Sequence, residues 1–236
     1  MVLSIQISFA RPIGPYDMLW NKCVGKFCHV EMSMKVDKNI FQVLANNSLE
    51  ESFHPEVLQS IILQTKKRKE KRVHVCFYVM WGETVSVRFL DPSHKDPFLH
   101  PPSQPTYENI TIPVTMDQMH AVLEYNLKQI GKPYDIPRAL LLFSWKTLPV
   151  HGVPTKFFCS QLVLYALEQL QIFSMDHLSL DHMTPTSVYD WLLHEQENSI
   201  KTQHKLPMKD GNEPCEYTTQ YPKDTDTTCN PRDWYN

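Results

Sequence analysis

Lys156-Phe157-Phe158-Cys159-Ser160-Gln161-Leu162-Val163 sets one cysteine where two aromatic residues give way to an amphipathic stretch. Apolar residues recur at 162, 163, 166, 167 and 170, the spacing of one buried helix face, so the thiol stands in the first turn of a helix. The first N–H groups of a helix lack intrahelical partners, and the aligned peptide dipoles make that end positive, which favours a thiolate over a thiol. Small cysteines also begin buried helices as plain core. The choice between these readings depends on what the rest of the chain brings to the sulfur.

Far upstream, Phe27 to Met34 alternates as a strand does, with Cys28, Val30, Met32 and Met34 on one face and His29, Glu31 and Ser33 on the other. Val36-Asp37-Lys38-Asn39 reads as a turn and Ile40–Ala45 as a return strand, so the sequence predicts a β-hairpin over 27–45. The return strand carries Gln42, and Asn46 follows it. A cysteine hydrolase needs a thiolate, an imidazole within hydrogen-bond reach and a third polar group that holds the ring in one tautomer. Cys159, His29 and these amides are the material for such a site.

The remaining segments predict an α+β domain. Residues 3–9 alternate as a first strand, Pro55 opens a short amphipathic helix, and Val73–Met80 with Thr84–Leu90 form a second hairpin. Asp91 to Tyr107 is proline-rich and reads as a long loop, and Ile110–Val114 is a further strand. Thr115-Met-Asp-Gln118 is a capping box for a helix that Gly131 ends. Residues 138–146 form a short apolar segment, and Thr184-Pro185 starts a last helix. Beyond residue 197 the chain turns polar, so residues 1–197 are expected to form the domain and 198–236 a tail, disordered alone or laid on a protein partner.

Composition narrows the class. The 236 residues are 42% hydrophobic and 21% charged with a net charge of −3, the profile of a globular protein with no overall pull towards polyanions. The alternating N-terminus lacks the features of a signal peptide, and no apolar run approaches the roughly 18 residues of a transmembrane span, so an intracellular, cytoplasmic protein with no transmembrane segment is expected. Six scattered cysteines do not make a disulfide scaffold. Lys66-Lys-Arg-Lys-Glu-Lys-Arg72 reads as a solvated loop, with nucleic acid or anionic lipid as the binding alternative. A metal site at Cys23, Cys28 and His29 has the wrong spacing for a zinc knuckle, and Cys28 and His29 point to opposite strand faces, so no cofactor or metal is expected.

Phe27-Cys28-His29-Val30-Glu31, Gly131-Lys-Pro-Tyr-Asp135, Phe158-Cys159-Ser160-Gln161-Leu162 and Thr184-Pro185-Thr-Ser187 together resemble the circularly permuted branch of the NlpC/P60 papain-like superfamily. That branch includes bacterial lipoprotein-like hydrolases, the lecithin:retinol acyltransferase group and proteins of poxviruses and other large DNA viruses. The resemblance implies a permuted papain-like fold, an antiparallel sheet or partial barrel packed against helices, in which the histidine precedes the cysteine. It implies Cys159 as nucleophile and His29 as general base. The third group, about a dozen residues after the histidine on the adjacent strand, would be Gln42, with Asn46 as its fallback, while Glu31 shares the His29 face and could line the cleft or orient the ring. Phe-Cys-Ser-Gln departs from the Asn-Cys-Glu-His pattern of the acyltransferases, so acyl transfer to retinol or phospholipid is not implied. The expected activity is a thiol hydrolase of peptide, amide, ester or thioester substrates. The alternative is a catalytically degenerate structural protein such as a virion component.

Overall fold

Strand β1 (Leu3–Ala10) is an interior strand of the sheet, and its alternation suits burial, with Ile5, Ile7 and Phe9 fully buried on one face. It pairs antiparallel with β2 (His29–Asp37) on one side and β5 (Tyr107–Val114) on the other. The registers Ile7↔Met32 and Ile7↔Ile110 carry one apolar layer straight across three strands. Beyond β2 lie β3 (Arg72–Tyr78) and β4 (Ser86–Phe89), giving an antiparallel sheet in the order β4-β3-β2-β1-β5. The edge strands β4 and β5 do not pair with each other, so the sheet is open and not closed into a barrel. The computed structural model describes residues 3–11, 25–90, 107–141, 154–173, 175, 178 and 183–205, with backbone alone at 141 and 199–205.

The expected hairpin over 27–45 is corrected. β2 ends at Asp37, and the chain enters helix α1 (Lys38–Asn47) where a return strand was expected. Asp37, read from sequence as a turn residue, is the N-cap: its Oδ1 accepts from the N–H of Asn39 at 2.8 Å and of Ile40 at 3.4 Å. Phe41 and Ala45, four residues apart, then face the core from one side of the helix, a spacing that suits a helix and not a half-buried strand.

Helix α2 (Pro55–Lys67) begins at the expected proline and buries Leu58, Ile61, Ile62 and Thr65. It takes in Lys66 and Lys67, so the basic run is not one loop. Its first two residues form the last helical turn, where cations suit the dipole, and Arg72 opens β3. Helix α3 (Met116–Gln129) carries the expected capping box, with Thr115 Oγ1 accepting from Gln118 N at 3.3 Å and Gln118 Oε1 from Thr115 N at 2.9 Å. After the short α4 (Ile136–Leu141) comes α5 (Cys159–Glu168). α3 packs on β1 and α5 on β2, and their apolar faces close the core over the Ile5–Ile7–Phe9 layer.

Helix α6 (Pro185–Lys205) starts where Thr184 Oγ1 accepts from Ser187 N at 3.1 Å, and it is still helical beyond residue 198, where a polar tail was expected. The described residues up to Ser199 form one compact unit. Of the loop expected over 91–107, residue 107 opens β5 and 91–106 lie outside the described residues, as do the segment 142–153, Cys23 and residues 206–236.

Candidate active site

The β2–β3 register begins at Met32↔Phe77, so residues 29–31 have ladder partners in β1 and none in β3. The start of α5 comes against this stretch. Its N-cap, Phe158, is extended at φ −105° and ψ 167° and has no side chain to cap the helix. The backbone N–H groups of Val30 and Ser160 are directed at the Cys159 sulfur, and the His29 ring reaches the same atom from β2. Cys159 is 6% exposed and the His29 side chain 17%.

The electrostatics of this pair are set against burial. Burial pushes the Cys159 thiol up, yet the His29 ring and the two N–H groups outweigh it and hold the thiol below its ordinary value. Burial likewise pulls the His29 imidazolium down, but the Cys159 sulfur and the Glu31 carboxylate together push it up to about 10. Both shifts favour the thiolate–imidazolium pair over the neutral one.

Glu31, 2% exposed, shares the His29 strand face, with its Oε2 3.7 Å from His29 Nε2. At that separation the contact is an ion pair rather than a hydrogen bond. Arg88 on β4 reaches over β3 and donates Nη2 to both Glu31 oxygens at 2.8 Å, while its guanidinium lies 4.9 Å from the Tyr78 ring. The register explains the reach: Cys76 of β3 stands opposite both Ser33 and Arg88, on the same sheet face, and its thiol also meets Glu31. Burial raises Glu31, but His29, Arg88 and Cys76 outweigh it and hold the carboxyl below its ordinary value.

Beside the sulfur, three segments knit together. Tyr134 forms a parallel bridge with Phe157, Tyr134 N donates to Glu83 O at 2.9 Å, and Gly131 N donates to Val85 O at 2.8 Å. The Tyr134 phenol is raised by burial and by the nearby Cys159 and Asp135 charges, so it keeps its proton. Its ring packs 5.5 Å from Trp81, which is 49% exposed at the tip between β3 and β4.

The structure therefore brings together Cys159, His29 and Glu31, and it leaves Gln42 and Asn46 elsewhere. His29 opens β2 while both amides lie on α1 beyond its far end; a nine-residue strand advances the chain roughly 26 Å. There the Gln42 carbonyl accepts from Asn46 Nδ2 at 2.7 Å. Sequence reasoning missed Arg88 and Cys76. The available signal was one arginine on the polar side of an alternating strand, Ser86-Val87-Arg88-Phe89, but its partner is 57 positions away.

Among the described residues no group of three His, Cys, Asp or Glu side chains could hold a metal ion, and Cys23 lies outside them. Among the same residues, no helix is long and apolar enough to cross a membrane. No family model, curated protein or solved structure matches the chain.

Proposed function

We propose that this protein is a thiol hydrolase acting on a carboxylic ester, thioester or amide through an acyl-enzyme, with Cys159 as nucleophile, His29 as acid and base, and Glu31 as the group that orients the ring. The observation that carries this reading is that the half-buried His29 ring meets both the Cys159 sulfur and the Glu31 carboxylate. The same order of parts, histidine strand before cysteine helix, supports kinship with the permuted NlpC/P60 branch.

In the resting pair His29 already holds the proton that a neutral thiol would have to lose. The Cys159 thiolate adds to the carbonyl carbon, and the carbonyl pair moves onto oxygen, where the backbone N–H groups at the start of α5 are the available donors. As the oxyanion collapses, the bond to the leaving group breaks and His29 gives that group its proton. The now neutral imidazole takes a proton from water as the water oxygen attacks the thioester. Cys159 departs as thiolate, the carboxylic acid is released, and the ion pair is restored. Glu31 keeps its charge throughout and stabilises the imidazolium.

The test is alkylation and turnover together. Wild-type protein should take up iodoacetamide at Cys159 near neutral pH, seen by peptide mass spectrometry, and should hydrolyse at least one member of a panel of chromogenic acyl esters and amides. Cys159→Ala should lose both. Turnover that survives in the alanine variant overturns the proposal.

A further inference from the structure

The end of β2 remote from Cys159 carries a second feature, a small open cleft. Lys35 and Arg72 are its cations, and His120, also in the lining, has an Nε2 that is buried with no hydrogen-bond partner among the described residues. The one carboxylate in the lining, Asp37, is engaged in capping α1. The rest of the lining is largely apolar, with Leu3, Ile40, Met116 and Met119, and Met116 is 45% exposed.

The cleft opens beside the basic run. Residues 66–72 hold six Lys or Arg against Glu70 alone, in a chain whose net charge is −3. Lys66, Lys67, Lys69, Lys71 and Arg72 are exposed. The run is an ordered surface: Lys38 N donates to Lys71 O at 2.9 Å, Lys38 Nζ donates to Arg68 O at 3.0 Å, and the Arg68 guanidinium lies 4.4 Å from the Phe89 ring. One turn before Lys66 and Lys67 on α2, Leu63 is 52% exposed.

We propose that this end of the domain docks on an anionic phospholipid bilayer, the basic run meeting the headgroup layer and the cleft taking one phosphate-bearing headgroup. Two features select a lipid surface over a nucleic-acid backbone. The cations of the cleft lie among apolar side chains that suit the glycerol and first methylenes of a lipid, and the run is flanked by an exposed leucine that can enter the interface. A nucleic-acid backbone would use the cations and leave both apolar features in water.

The test is co-sedimentation of the full chain with phosphatidylcholine vesicles, with and without phosphatidylserine. Binding is expected only with the anionic lipid and should weaken as salt rises. Reversing Lys66, Lys67, Lys69 and Lys71 to Glu should lower partitioning by on the order of 100-fold or more. Lys35→Gln with Arg72→Gln should lower it by roughly tenfold, with the thermal transition kept as the folding control. Because wild-type protein alone reports lipid and salt dependence, misfolding of a variant leaves the proposal testable. Equal binding to neutral vesicles, no binding to anionic ones, displacement by millimolar inorganic phosphate, or tighter binding to duplex DNA or single-stranded RNA in the same buffer would each overturn it.

Discussion

Arg88 donates one nitrogen, Nη2, to both carboxylate oxygens of Glu31 at 2.8 Å, joining strand β4 to strand β2 across the intervening β3. The carboxylate so held is the one that faces His29. Removing the arginine leaves an almost fully buried charge without the two hydrogen bonds that hold it. Arg88→Met is therefore expected to cost about 3–5 kcal/mol in urea unfolding. Adding Glu31→Gln to that variant should recover much of the loss, because it removes the stranded charge. Additive losses in the double variant would show that the two side chains act independently.

The pH dependence follows from the directions of the shifts. His29 is raised from 6.5 to about 10, so the stability it contributes is fully present below pH 6.5 and is lost as pH rises through about 10. Cys159 is lowered from 9.0, so its contribution is present above pH 9 and is lost as pH falls through the depressed value. The ion pair occupies the interval between, and the rate of Cys159 alkylation should be flat there instead of climbing towards pH 9. Glu31→Gln removes a charge that supports the imidazolium and should bring the upper limit of that interval down by about one pH unit, leaving the rate inside it unchanged. A wild-type rate that rises steadily through pH 8.5, as for a free thiol, would contradict the ion pair.

Gln42 stands on α1, beyond the far end of β2 from His29. Gln42→Ala should leave the alkylation rate within about twofold of wild type and stability within about 0.5 kcal/mol, as for a surface position away from the reacting groups. A loss of tenfold or more in alkylation or turnover would restore the amide as the orienting group.

Gly131 adopts φ +88°, and a Cβ there would stand 2.4 Å from His54 Cδ2. Its N–H also anchors the segment that leads to Tyr134 beside the sulfur. Gly131→Ala combines left-handed strain of roughly 1–2 kcal/mol with displacement of the imidazole, and its thermal unfolding should move down accordingly. Cys159 alkylation should slow in the same variant. Gly82→Ala is the control: its φ is +77° but nothing lies within 4 Å of the added methyl, so strain alone should be felt.

Much of the fold was legible because it is written in local patterns. The alternation of β1, the Thr115–Gln118 capping box, Pro55 at the start of α2 and Thr184-Pro185 at the start of α6 each declare themselves within a few residues. Asp37 is ambiguous in sequence because the same side chain suits a turn and a helix N-cap, and only the Phe41–Ala45 spacing favours the helix. The resemblance points to Gln42 by its distance along the chain from His29, and the helix takes that residue off the adjacent strand.

By itself the sequence determined that Cys159 begins a helix, that His29 and Glu31 share one strand face, and that a strongly basic run follows α2. Helix and strand periodicity are properties of neighbouring residues, so they survive without a partner in view. Only the tertiary structure decided which of these groups meet. Strand order, the absence of a β3 ladder beside residues 29–31 and the Cys76 register put Arg88 on Glu31, and Glu31 beside a ring that reaches Cys159. Charges buried together at such distances shift one another strongly, and sequence separation carries no information about that distance.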